Sequence, residues 1–267
     1  MHLISYAIWP LLGLLAYLGA AVNAASVLEI DVVFPRTNET YAPIDYFPIV
    51  FALQNAELAK HLKPSIYSFV RNGTDLLDTF GHSITDLTST NFSSSEPYFV
   101  YHYLKSITEG PHRLFATAIW RSCDESGDQV AIVGHDINLS IYFNVERGGQ
   151  EVDLVAATEK CSPQDGVAIN VTDQTHDVPE KLSWEQQQLS GTCAVLASSS
   201  PTPTADPCRV KIDTTVAASM SAFLKNALCK GLNPPSDCPE ESAVQKLVVT
   251  GVAGFAAASG AIVFLPA

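Results

Sequence analysis

Charge is missing from both ends of this chain. The first 24 residues and the last 21, Leu247 to Ala267, contain no Lys, Arg, Asp or Glu. Nothing basic follows the apolar tail, so it lacks the cytoplasmic Lys or Arg that normally holds a stop-transfer helix. Basic residues are scarce throughout, 15 Lys and Arg against 28 Asp and Glu, and the formal net charge of -13 falls wholly between the two uncharged ends. So acidic a surface repels nucleic acid and anionic lipid head groups, which excludes both as partners. No cysteine precedes Cys123. The first part of the mature chain must therefore hold together by core packing, and a segment of about 170 residues is long enough for that. There is no Cys-x-x-Cys pair and no His at zinc spacing from a Cys, which argues against a structural metal. A Gly-x-Ser-x-Gly nucleophile elbow is also absent.

The apolar ends read as targeting segments. Leu3 to Val22 is followed by Val22-Asn23-Ala24, the small-x-small pattern of a signal peptidase site, so the mature chain is expected to start at Ala25. The tail is rich in Gly251, Gly254, Gly260 and Ala256 to Ala258, the pattern of a GPI-attachment signal; an uncleaved tail anchor is the alternative. Ser236 has the better spacer before Leu247, but cleavage there would discard Cys238 and strand its partner. Ser242 keeps every cysteine and is the expected lipid site, with Ser236 the second choice.

Five Asn-x-Ser/Thr sequons, at Asn38, Asn72, Asn91, Asn138 and Asn170, follow the signal and imply glycosylated loops or exposed strand ends. Six cysteines, Cys123, Cys161, Cys193, Cys208, Cys229 and Cys238, form an even set in an oxidising compartment. They read as three disulfides, with fifteen possible pairings.

The hydrophobic pattern between the ends is that of β structure. Val27 to Phe34 places Leu28, Ile30, Val32 and Phe34 on one face and Glu29, Asp31 and Val33 on the other, the mark of a half-buried strand. Asn138 to Glu146 repeats it, with Leu139, Ile141, Phe143 and Val145 inward. Phe47 to Leu53, Ile66 to Arg71, Tyr98 to Leu104 and Arg113 to Cys123 are further strands, separated by turns such as Asn72-Gly73-Thr74 and Glu109-Gly110-Pro111. Many short strands and few helical stretches predict an antiparallel, immunoglobulin-like β-sandwich. Ser198 to Thr204 is a Ser/Thr/Pro loop expected to carry O-linked sugar. Beyond it Asp213 or Thr214 caps a short helix with Val216, Met220, Phe223, Leu224 and Ala227 on one face, pinned back by cysteines. The expected organisation is thus signal 1–24, β-sandwich 25–197, loop 198–207, Cys-rich helical segment 208–241 and lipid signal or anchor 242–267.

Candidate chemistry is thin. Glu29 and Asp31 share a strand face about 6.5 to 7 Å apart, within glycosidase range, but acidic residues on a solvent face explain them as well. His135-Asp136 could be a base with its orienter, though nothing supplies a nucleophile, and a satisfied loop histidine explains it better. His61, His82, His102, His112 and His176 have no metal-ligand spacing. No catalytic residue, metal ligand or cofactor is expected. The stronger rival is sugar binding: Phe99, Tyr101 and Tyr103 alternate along one strand and could form an aromatic row, although Val100 and Leu104 opposite suggest a central strand buried on both sides.

Val27-Leu28-Glu29-Ile30-Asp31-Val32-Val33-Phe34-Pro35-Arg36 and Phe47-Pro48-Ile49-Val50-Phe51-Ala52-Leu53-Gln54-Asn55, with Trp120 before Cys123 and Pro207-Cys208-Arg209-Val210-Lys211-Ile212-Asp213, resemble a secreted fungal family, domain of unknown function 7136. The resemblance spans about residues 27 to 238. It implies an extracellular, often GPI-anchored protein and no activity. The reading is a glycosylated, disulfide-bonded cell-surface or cell-wall protein with a structural or interaction role; the alternative is a lectin-like protein. Its partners would be wall polysaccharide or surface proteins, and its membrane link the GPI lipid.

Overall fold

A computed structural model of the chain describes residues 27–74, 78–92, 96–127, 130–159, 165–177, 192–197 and 203–238. The signal segment, Cys161, residues 198–202 of the Ser/Thr/Pro run and everything from 239 onward, Ser242 included, lie outside the described residues. Ten strands and two α-helices follow one another as β1 (Val27–Phe34), β2 (Thr40–Tyr41), β3 (Tyr46–Gln54), β4 (Ser65–Asn72), β5 (Thr79–Asp86), β6 (Tyr98–Lys105), β7 (Gly110–Asp124), β8 (Ala131–Val145), α1 (Leu154–Glu159), β9 (Gly166–Asp177), β10 (Thr192–Leu196) and α2 (Thr214–Cys229). The protein is mainly β, as its alternation implies.

The strands form one hydrogen-bonded sheet in the order β2-β8-β7-β10-β9-β1-β3-β6, with β4 and β5 branching from β7. Most pairings are antiparallel. Two are not: β2 runs parallel to β8 and β10 parallel to β7, a departure from the purely antiparallel pattern expected. The strands β6-β3-β1-β9 make one wing and β5-β4-β7-β8 the other. Side chains from the two wings meet: Phe47 of β3 stacks on Phe143 of β8 with ring centroids 5.2 Å apart, and Phe34 and Tyr41 complete the cluster. The core lies between the wings, because Ile66, Val70, Leu114, Ile141 and Phe143 on one and Leu28, Ile30, Phe47 and Ile49 on the other are all buried.

β8 alternates as its sequence predicts, with Leu139, Ile141, Phe143 and Val145 buried and Tyr142 exposed. β1 does not. Every residue from Leu28 to Phe34 is buried, because β1 lies between β3 and β9 and its second face is covered by the segment before α2. Val210 and Ile212 of that segment, and Met220 of α2, belong to the same core. The Cys-rich helical segment is therefore part of the β domain. Its helix starts where expected: the Asp213 carboxylate accepts the amide of Val216 at 2.8 Å.

Two disulfides join described residues. Cys123–Cys193 ties β7 to β10 with Cα atoms 5.6 Å apart, and Cys229–Cys238 clips the end of α2 at 5.5 Å. Cys208 is also disulfide-bonded. Their sequence separations are 70 and 9 residues. Loop-closure entropy makes the longer bridge worth about 2 kcal/mol more. Cys123→Ser should accordingly lower the denaturation midpoint further than Cys229→Ser, and the opposite order would show that strain or residual structure outweighs chain entropy. Among the described residues, no helix is long and apolar enough to cross a membrane.

Candidate functional site

Glu29 and Asp31 lie on one face of β1. Both point away from the inter-wing core, yet they are 4% and 0% exposed. The expected solvent face does not exist, since the Asp206–Arg209 turn lies over it. The side-chain nitrogen of Gln54 donates to Glu29 at 3.1 Å and to Asp31 at 2.7 Å, the Asp206 amide donates to Glu29 at 2.8 Å, and Arg209 forms an ion pair with Glu29. One oxygen of Asp31 has no partner. Burial pushes the Asp31 carboxyl up to about 7, assisted by the Glu29 and Asp206 charges and opposed by the Gln54 hydrogen bond and Arg209. The arrangement fastens the C-terminal segment to β1. It offers no open face on which a saccharide could lie between the two carboxylates.

The histidines are dispersed. His135 lies flat on Trp120, with ring centroids 5.4 Å apart, and its Nε2 is 2.8 Å from Ser122 Oγ. Asp136 does not orient it, because successive strand residues point to opposite faces. His102 is buried without a partner for Nε2, and burial holds its pKa down to about 4. His112 bonds the Thr108 carbonyl, His61 the Thr192 hydroxyl and His176 the Glu125 carboxylate, while His82 is exposed on β5. Among the described residues, no group of three or more His, Cys, Asp or Glu side chains could hold a metal ion.

The aromatic row of β6 is covered. Tyr101 is buried beneath Phe223 of α2, ring centroids 5.4 Å apart, and Tyr103 meets Tyr101 edge-on. β6 ends the sheet path and pairs with β3, whereas a central strand was expected; α2 is what buries its outer side.

A second aromatic surface, missed in the sequence, lies on the outer face of β5-β4-β7-β8. Ile66, Ser68 and Val70 of β4 point inward, as do Leu114, Ala116 and Ala118 of β7, so the residues between them point out. Phe69 and Phe115 pair across the strands and stack at 5.1 Å, and Tyr67 packs beside Phe69 at 5.5 Å. In the next row Arg71 pairs with Arg113, and Arg113 with Tyr142. The Arg71 guanidinium lies 5.0 Å from the Phe69 ring, and that of Arg113 lies 4.2 Å from Phe115 and 4.8 Å from Tyr142. Tyr142 is 51% exposed and Ile84, on the neighbouring β5, 63%. Phe69-Val70-Arg71 and Arg113-Leu114-Phe115 carried the signal, since each puts a ring and a guanidinium on the face opposite an apolar residue.

Comparison with known families decides the relationship. The family model described as domain of unknown function DUF7136 matches residues 23–238. The chain belongs to this family. No match was found among curated proteins. The DUF7136 match takes in all five sequons and all six cysteines and stops short of Ser242. None of the five sequon asparagines is buried: Asn38, Asn91 and Asn138 are exposed, Asn72 and Asn170 half-buried. Asn138 lies on the aromatic face itself, one row from Phe115, where its side-chain oxygen accepts the Thr117 hydroxyl at 2.8 Å.

Proposed function

We propose that this DUF7136 protein is a glycosylated cell-surface domain of fungal type, held outside the membrane or in the wall by a GPI lipid, that binds carbohydrate through the outer face of β5-β4-β7-β8. The single observation that carries the binding reading is that face: stacked, half-exposed rings beside the exposed Tyr142 on a sheet whose other side is core. The C–H face of a pyranose ring fits an aromatic surface, and Tyr and Phe offer that area at little entropic cost. A purely structural wall protein is the second reading, supported by the disulfides and the accessible sequons. We read the two apposed wings as an immunoglobulin-like sandwich; the contact of Phe47 with Phe143 supports this.

Within the lipid reading, the bond between Cys229 and Cys238 favours Ser242 over Ser236, since cleavage at Ser236 would remove one of its two partners. Phospholipase should release the wild type from cells, Ser242→Pro should not be released, and Ser236→Pro should behave as wild type. Edman sequencing of the released protein should begin at Ala25. The binding reading is tested by pulling the secreted protein down with insoluble wall polysaccharides. At least one polymer should retain wild type and lose it at least tenfold with Phe69→Ala or Phe115→Ala. Retention of neither form on any polymer in the panel would leave the structural reading in its place.

A further inference from the structure

We infer that the outer aromatic face selects an anionic saccharide, a sugar polymer bearing carboxylates, and that Arg71 and Arg113 are the residues that read the charge. This rests on the carbohydrate reading above and narrows it to one ligand class.

In a chain of formal net charge -13, carboxylates are plentiful, and other arginines use them: Arg147 pairs with Glu109, and Arg209 with Glu29 and Asp206. Arg71 and Arg113 pair with each other across β4 and β7, and neither makes an ion pair with a carboxylate among the described residues. Like charges directly opposite on adjacent strands are destabilising. The two cationic side chains are nevertheless held in place, over the rings of Phe69 and Phe115 and, for Arg113, by a 2.7 Å hydrogen bond from Nε to Ser140 Oγ. The Nε of Arg71 is buried without a partner. The result is a positioned pair of positive charges with no carboxylate at ion-pair distance among the described residues.

The cross-strand rows that hold the rings and the arginines add no negative charge. Their other members are His82, Ile84, Thr79, Thr117, Asn138, Ser140 and Tyr142. The Asp165 carboxylate accepts the Ser140 amide at 2.6 Å beside the ring row, Asp86 and Asp136 fall in the row beyond Tyr67 and Thr117, and none of the three forms an ion pair with Arg71 or Arg113. An incoming carboxylate therefore meets two guanidinium groups without displacing a resident one, and a guanidinium's planar fork matches a carboxylate bidentately. Arg71 and Arg113 leave the strands about 7 Å from the Phe69–Phe115 row, and their guanidinium groups fold back to within 5.6 Å of those rings. A carboxylated sugar would thus meet the guanidinium groups and the edges of the same rings in one subsite. The negative charge elsewhere on the chain repels a polyanion at long range. At physiological ionic strength the Debye length is about 8 Å, so distant carboxylates are screened while direct guanidinium contacts persist.

The test uses one polymer in two charge states: polygalacturonate and the same polymer fully methyl-esterified, each titrated at physiological salt against the secreted wild-type protein. Polygalacturonate should bind at least tenfold more tightly than the ester. The double variant Arg71→Gln/Arg113→Gln should keep the weak ester binding and lose the preference, with its thermal melt confirming that it is folded. Phe69→Ala should weaken both polymers. Equal affinity for acid and ester, or an unchanged preference in the double variant, overturns the inference while leaving sugar binding in place, as does binding of neutral wall polymers with none of polygalacturonate. Binding of no polysaccharide at all removes the carbohydrate reading and the inference with it.

Discussion

Replacing Asp31 by asparagine should uncover a stability that climbs with pH between about 4 and 6.5, where the wild type is nearly flat with respect to this group and His102. The carboxyl of Asp31 is raised from 3.8 to about 7 by burial, so in that range it is protonated in the folded chain and ionised in the unfolded one. The stability it contributes is complete below pH 3.8 and is lost as pH rises through 7. His102 is lowered from 6.5 to about 4 by burial, so its contribution is present above 6.5 and lost as pH falls through 4. From about 4 to 6.5 the folded state holds one extra proton at Asp31 and the unfolded state one extra at His102. The two slopes cancel.

Each single variant leaves one slope exposed. Between pH 4 and 6.5 Asp31→Asn should gain, and His102→Leu should lose, about 3 kcal/mol, both relative to the wild-type profile. Denaturant unfolding at several pH values measures both. Profiles parallel to wild type in both variants would show that neither group carries a shifted proton in the fold. The comparison uses slopes, so any uniform change in stability from the substitution itself drops out.

Phe47→Ala should destabilise the protein by about 3 to 5 kcal/mol, the range for emptying a buried aromatic position. Phe47 has no exposure, and its ring touches those of Phe34, Tyr41 and Phe143, joining the two wings at one point. Phe69→Ala removes the same side chain from the outer face, where the ring is half-buried and stacked only on neighbours in its own wing. That change should lower stability by about 1 kcal/mol. The pair thus separates an aromatic that holds the fold from one that is available to a ligand. Similar losses in both variants would mean that the outer rings are structural and would weaken the binding reading.

How legible each element was depends on what covers its second face. β8 could be read correctly because one face meets the core and the other meets water, so polarity alternates with the side chains. Asp213 announced the start of α2 by local chemistry, since an N-cap is satisfied within its own turn. β5 has no such signature. Thr79–Asp86 is a mostly exposed strand that, among the described residues, pairs only with β4, and its Gly81, His82 and Ser83 break any apolar rhythm. The row on β6 was read as one surface, but its fate depended on Phe223, more than a hundred residues away.

By itself the sequence determined the β class, the inward face of β8, the capped helix and the positions of the sequons and cysteines. All of these follow from local periodicity, backbone chemistry or residue identity, which do not need a distant partner. Tertiary structure alone decided the rest. Glu29 and Asp31 alternate like surface residues and become buried because the Asp206–Arg209 turn, some 175 residues later, supplies the amide and guanidinium that make burial tolerable. Tyr101 is interior because a helix lies over it, and Phe69 and Phe115 face outward together because β4 pairs with β7 in one register. An alternating pattern says which side chains share a face; what lies against that face is fixed by contacts between segments remote in the chain.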